Sequence, residues 1–130
     1  MILALRTDAA AANLTLLDEQ GKVANESFDE LGRQMARELP GRIAALLAQA
    51  GLALGDLSGV IFYAGPGSFT GLRIGAATAN ALAYGQQVPV VATRGDNWLS
   101  DGVARLQAGD TDRTALPFYG AEARVTQPRK

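Results

Sequence analysis

Gly65-Pro66-Gly67-Ser68-Phe69-Thr70-Gly71-Leu72-Arg73-Ile74-Gly75 lies between two stretches of different character. Before it, Val60-Ile61-Phe62-Tyr63-Ala64 is an unbroken apolar run of strand length, which reads as a buried strand. After it, residues 72–84 are alanine-rich and free of proline, which reads as a helix. Strand, glycine loop and helix admit two readings. Backbone N–H groups at the helix N-terminus can hold an anion, or the glycines simply let the chain turn sharply and pack closely. Spacing does not separate them. The loop lacks the Gly-Lys-Ser/Thr ending of a P-loop and the Gly-x-Gly-x-x-Gly spacing of a dinucleotide site. Pro66 also removes one N–H that a phosphate cradle would use.

Upstream of the loop, residues 2–6, 12–17 and 23–28 read as three strands of an antiparallel meander, with Gly21 suited to the left-handed position of the second connection. From about Asp29 the period changes to 3.6. Leu31, Met35 and Leu39 are four apart, and Ile43, Leu46, Leu47 and Ala50 continue the stripe. Pro40-Gly41 interrupts it and predicts a kink or a split helix. Gly51 reads as a C-cap, and Asp56 as the cap of a turn before the strand. Downstream, residues 88–92 read as a strand and Asn97 to Leu106 as a short helix whose Trp98, Val103 and Leu106 cover the core edge. Residues 107–115 read as a polar loop, Leu116-Pro117-Phe118-Tyr119 as a segment that docks a few apolar groups, and residues 127–130 as a solvated end. The order is β-β-β-α-β-α-β with a final helix, an α/β arrangement in which three antiparallel strands are extended by parallel ones.

Composition narrows the chemistry. The chain has 130 residues, 48% of them hydrophobic, enough for one domain burying about two-thirds of its unfolded surface. Twelve basic and 13 acidic side chains leave a net charge of -1, so no global field draws in nucleic acid. There is no cysteine and no histidine. The usual zinc, copper or non-haem iron sites and any Ser-His-Asp or Cys-His-Asn site are therefore excluded. Carboxylates, Lys, Tyr and oxygen-bound magnesium remain. The apolar start is short and meets Arg6, and no run approaches a membrane span of roughly 20 residues. A soluble, cytoplasmic protein without membrane contact is expected.

The loop closely resembles that of the TsaB (YeaZ) family, partner proteins in making threonylcarbamoyladenosine in bacterial tRNA. Ile2-Leu3-Ala4-Leu5-Arg6-Thr7 is similar to that family's opening strand, Leu39-Pro40 through Leu47 to its first long helix, and Val88-Pro89-Val90-Val91-Ala92-Thr93 to the strand after the loop. The likeness covers 1–93, with a short helix, loop and tail in 94–130. It implies a single lobe of the ribonuclease-H-like fold of the actin and sugar-kinase group, with a mixed five-stranded sheet. Two departures stand out. ATP-using proteins of that fold place an Asp near the end of the first strand, and TsaB-like sequences commonly keep Asp-Thr; here Arg6-Thr7 is followed by Asp8. A cation there repels magnesium and pairs with a phosphate or a carboxylate instead, and Asp8 is displaced by about 6–7 Å. TsaB-like proteins also carry two lobes, whereas this length holds one, and the tail resembles the segment that closes the full-length family. A compact version lacking the second lobe is expected.

The resemblance implies a non-catalytic subunit, with no catalytic residue, no cofactor and no metal. It would support a TsaD-like catalytic subunit in transferring a threonylcarbamoyl group to adenosine 37 of tRNAs that read codons beginning with A. A TsaE-like ATPase would be a further partner, tRNA would be met only through the complex, and the chain alone would form a homodimer. The implied contact surface lies on helices 31–50 and 72–84: Leu31, Met35, Leu39, Gly75, Ala76, Thr78, Ala79 and Leu82. Small side chains permit close helix approach and the larger ones serve as anchors; ordinary core packing explains the same residues. The alternative is a nucleotide-binding module without turnover, or a diverged self-dimerising paralogue. Its candidates are Ser68, Thr70 and Arg73, with Asp8 and Asp56 as magnesium ligands. Ser68 and Thr70 also read as helix caps, and Arg73, in a first helical turn, requires an acidic or carbonyl partner.

Overall fold

A computed structural model describes residues 1–118. Its centre is a five-stranded sheet of β1 (Ile2–Arg6), β2 (Ala11–Leu17), β3 (Val23–Glu30), β4 (Gly59–Tyr63) and β5 (Val90–Thr93), in the order β3-β2-β1-β4-β5. β1, β2 and β3 pair antiparallel, while β4 and β5 run parallel to β1. This is the α/β, ribonuclease-H-like arrangement that the sequence implied. β1 and β4 lie inside the sheet and carry near-continuous apolar runs, as strands covered on both faces must. At the β2–β3 connection Gly21 adopts φ 92°, and the Asp18 carboxylate accepts from the Gln20 and Lys22 amides, fixing a tight turn.

Three helices cover the sheet: α1 (Met35–Gln49), α2 (Phe69–Gln86) and α3 (Trp98–Gln107). Side chains alternate across β4, so neighbouring residues identify the two layers. A Cβ added at Gly75 of α2 would come within 2.9 Å of Phe62, whereas one at Gly102 of α3 would meet Ile61 at 2.6 Å. α2 therefore takes one face and α3 the other, and α1 packs beside α2. The main core lies beneath α1 and α2, with Leu3, Leu5, Leu14, Leu16, Val60 and Phe62 fully buried.

The region after Asp29 differs from the expectation. β3 continues to Glu30, a 3-10 turn spans Gly32–Gln34, and α1 starts only at Met35. Leu31 keeps the four-residue spacing without being helical because it is buried from the turn that precedes α1. Pro40 lies inside α1, which runs unbroken to Gln49. The carbonyl that its missing N–H would have served belongs to Ala36 on the exposed side of the helix, where water can take the place of the lost bond.

After α3 the chain is more fixed than a polar loop. The Asp112 amide donates to the Val90 carbonyl at 2.8 Å, and the Asp112 carboxylate accepts from the Ala92 amide at 2.7 Å. Arg105 grips Asp110 and Asp112 at 2.7 and 2.6 Å. Asn80 of α2 then donates to and accepts from the backbone of buried Ala115. The Phe118 amide reaches the Ala64 carbonyl at 2.6 Å, and its ring lies under the Arg94 guanidinium. Leu116, expected to dock, is exposed. Tyr119 and the end expected at 127–130 lie outside the described residues.

Candidate functional site

The end of β1 and the glycine loop form one unit. Thr7 is fully buried and its hydroxyl donates to the Gly71 carbonyl at 2.7 Å. A Cβ at Gly71 would fall on the Thr7 carbonyl oxygen, one at Gly75 on the Thr7 hydroxyl, and one at Gly67 on the Asp8 side chain. These three glycines are needed because α2 begins directly against the strand end. Gly65 and Pro66 are joined by a cis peptide bond, and Gly65 adopts φ 113°.

Much of the loop's donor capacity is spent internally. The Ser68 amide donates to the Asp8 carbonyl at 2.8 Å, and the Gly71 amide donates to the Ser68 hydroxyl at 3.2 Å. Ser68 is thus the N-cap of α2. Thr70 lies one step inside the helix, exposed, without a capping role. Arg73 is exposed and its guanidinium lies over the Phe69 ring at 5.4 Å; the acidic or carbonyl partner expected for it is absent among the described residues. The close-packing reading of the glycines accounts for this geometry.

Arg6 engages a carboxylate. Its Nε and Nη2 donate to the two Asp8 oxygens at 2.8 and 3.2 Å, and its guanidinium lies 3.9 Å from the Tyr63 ring centroid. The hydrogen bond to Asp8 raises the Arg6 pKa further above its ordinary value. Tyr63 in turn meets Trp98 edge-on at 5.5 Å. Asp56 binds the Ala53 amide at the opposite end of the sheet, beside Met1. Asp8 and Asp56 do not converge, and no cluster of three acidic side chains forms among the described residues. A divalent cation or a magnesium-bound nucleotide does not fit a strand end where a guanidinium holds the nearest carboxylate.

The residues expected at a contact surface divide by burial. Leu31, Met35, Leu39, Gly75, Ala76 and Ala79 lie inside this chain's own core; Thr78 and Leu82 are partly exposed. Thr78 and Leu82 join Pro40, Ala44, Leu54, Ala77 and Ala81 around an apolar groove of about 430 Å³ between α1 and α2. Tyr84, 88% exposed, lines a separate hollow with Val88, Pro89 and Arg113. Local spacing did not mark Pro40, Ala44 and Leu54 as lining, nor Tyr63, Asn80, nor Asp8 as the carboxylate expected to pair with Arg6. Two signals pointed to some of these: a lone Asn among alanines, and opposite charges two apart at a strand end, hence on one side.

The fold and strand end define a ribonuclease-H-like protein whose opening strand carries a neutralised ion pair. The family model described as TsaD, tRNA N6-adenosine threonylcarbamoyltransferase, matches residues 11–94. A protein of Haemophilus influenzae called tRNA threonylcarbamoyladenosine biosynthesis protein TsaB is 39% identical over 92 residues, 69% of this chain and 37% of that protein. The Escherichia coli protein of the same name is 30% identical over 124 residues, 91% and 53% of the two chains. Two solved Pseudomonas aeruginosa structures, one described as YeaZ and one as an uncharacterised protein similar to peptidase YeaZ, superpose with TM-scores of 0.64 and 0.65 at 33% and 34% identity. Each alignment covers 72% of this chain and 44% or 42% of the other. The chain belongs to this TsaD family, as a member of TsaB/YeaZ type. It spans between 37% and 53% of the length of those curated relatives.

Proposed function

We propose that this chain is a non-catalytic partner subunit in the synthesis of N6-threonylcarbamoyladenosine in tRNA, supporting a TsaD-like catalytic subunit. The observation that carries the reading is the Arg6–Asp8 pair. It occupies the strand end where ATP-using relatives of the fold place a free carboxylate. The names of the Haemophilus influenzae and Escherichia coli relatives support the pathway. The absence of histidine and cysteine supports the non-catalytic role, because the chain offers no imidazole or thiolate to a transition metal.

The contact surface in this reading is the groove between α1 and α2. Ala77 and Ala81 are exposed and small, so a partner helix can approach the α2 backbone closely, with Leu82 as the larger side chain beside it. The buried Leu31, Met35 and Leu39 act in it by holding α1 in place. The same surface serves a homodimer when the chain is alone. A TsaE-like ATPase is a further partner, tRNA is reached through the complex, and the setting is cytoplasmic; no helix among the described residues is long and apolar enough to cross a membrane. The test is co-purification with the TsaD protein of the same genome, followed by size and mass analysis. A defined complex supports the reading; a chain that remains a self-dimer in the presence of that protein would sink it.

A further inference from the structure

The two edges of the sheet are treated in opposite ways. At β5 every outward group of Val90 and Ala92 has a partner. The Thr111 hydroxyl bridges the Val90 amide and carbonyl, the Asp112 amide donates to the same carbonyl, the Asp112 carboxylate takes the Ala92 amide, and Arg105 reaches the Ala92 carbonyl at 3.3 Å. Side chains stand in for a sixth strand there. β3, the other edge, has no such cover among the described residues.

The register shows which of its groups are open. The Leu31 amide donates to the Ala10 carbonyl, and pairing continues as Ala12↔Asp29 and Leu14↔Ser27. Alternation in an antiparallel ladder then turns the amides and carbonyls of Glu26, Phe28 and Glu30 away from β2. The Glu26 amide is taken by the Asn25 side chain; those of Phe28 and Glu30 have no partner among the described residues. The same three side chains share the sheet face opposite α1. Phe28 is 72% exposed there, beside a cavity of about 400 Å³ lined also by Asn13, Thr15, Trp98 and the mutually paired Arg6 and Asp8.

Charge selects the occupant. Glu26 and Glu30 flank Phe28, and neither has an ion pair among the described residues; Arg42 bonds Asp29, which points to the other face. A second copy paired antiparallel about Phe28 would set Glu26 against Glu30 twice, and like charges directly opposite are destabilising. We infer that the β3 edge from Glu26 to Glu30 is a docking strand for a cationic, extended segment of a partner protein, which would add a strand to the sheet with basic side chains beside the two glutamates. This surface lies at a sheet edge, apart from the α1–α2 groove, and does not depend on the function proposed above.

The probe is a short end-capped peptide alternating lysine and valine. It is compared with a glutamate–valine version and with one N-methylated on the edge that faces β3. The readouts on the full chain are fluorescence anisotropy and amide hydrogen exchange. Expected are saturable binding of the lysine peptide and slowed exchange at the Phe28 and Glu30 amides, with affinity falling at least about tenfold on N-methylation. Phe28→Pro takes away the outward N–H together with the exposed ring, at a position where an edge strand tolerates proline, so it should fold and lose binding. Ala77→Trp should leave binding unchanged. Binding indifferent to N-methylation, equal binding of the glutamate peptide, or no protection at Phe28 and Glu30 would overturn the inference. So would wild-type chain that protects those amides by self-association without peptide.

Discussion

Thr7 and Gly71 are joined at the point where the first strand meets the second long helix: the buried threonine hydroxyl donates to the glycine carbonyl at 2.7 Å. Because helix and strand end touch through backbone, the glycines of this helix differ sharply in what they tolerate. Gly75→Ala would drive a methyl group onto the Thr7 hydroxyl and against Phe62, with an expected loss of about 1–3 kcal/mol. Gly85→Ala, in the same helix with nothing within 4 Å, should gain about 0.5–1 kcal/mol. Urea midpoints for the two variants check the opposite signs.

Arg6 and Asp8 are expected to act as a coupled pair. The pair is partly solvated, with side chains 38% and 18% exposed, so screening limits it to about 1 kcal/mol. A double-mutant cycle of Arg6→Ala and Asp8→Ala should return a coupling energy of that order. Arg6→Lys should restore less than half, because an ammonium cannot form the two-pronged contact or lie flat on Tyr63.

Acid should weaken the hold of Arg105 on the segment after α3. The Arg105 guanidinium lowers the pKa of both Asp110 and Asp112 below the ordinary carboxylate value, most directly by its hydrogen bonds. The folded carboxyls are therefore harder to protonate than the unfolded ones. Their contribution is complete above the ordinary carboxylate pKa and is lost as pH falls through the lowered values. Between about pH 5 and 3, wild-type stability should fall more steeply than that of Arg105→Gln. Urea denaturation as a function of pH measures the difference in slope.

Exposed Ala81 and buried Leu39 should separate association from folding. Leu39 is fully buried, and Leu39→Ala should cost about 2–5 kcal/mol of stability. Ala81→Trp changes an exposed position, so its effect on monomer stability should stay within about 0.5 kcal/mol. It should nevertheless weaken self-association, and binding to a TsaD-like partner, by at least about tenfold, since the added ring blocks close helix approach. Sedimentation equilibrium beside thermal melts resolves the two effects.

The element order, the strand–loop–helix unit and the core stripes of the helices were legible from residues alone. Apolar runs and 3.6-residue spacing are local consequences of which face each element buries. The start of α1 was not legible. Leu31 keeps helical spacing from Met35 while lying in a turn, because burial constrains the direction of a side chain and not the hydrogen bonding of its backbone. Nor did the polar composition of residues 107–115 reveal that Asp112 would bond Ala92, or that Asn80 would hold Ala115.

By itself the sequence determined the α/β class, the likeness to TsaB proteins, the lack of histidine and cysteine chemistry, and the need for glycine between β4 and α2. Tertiary structure decided what those glycines are for: Gly67, Gly71 and Gly75 make room for Thr7 and Asp8, residues some 60 positions earlier in the chain. It also decided that Arg6 is held by Asp8, and which alanines of α2 face outward. Each of these depends on contacts between segments distant in the chain, and local spacing carries no record of such contacts.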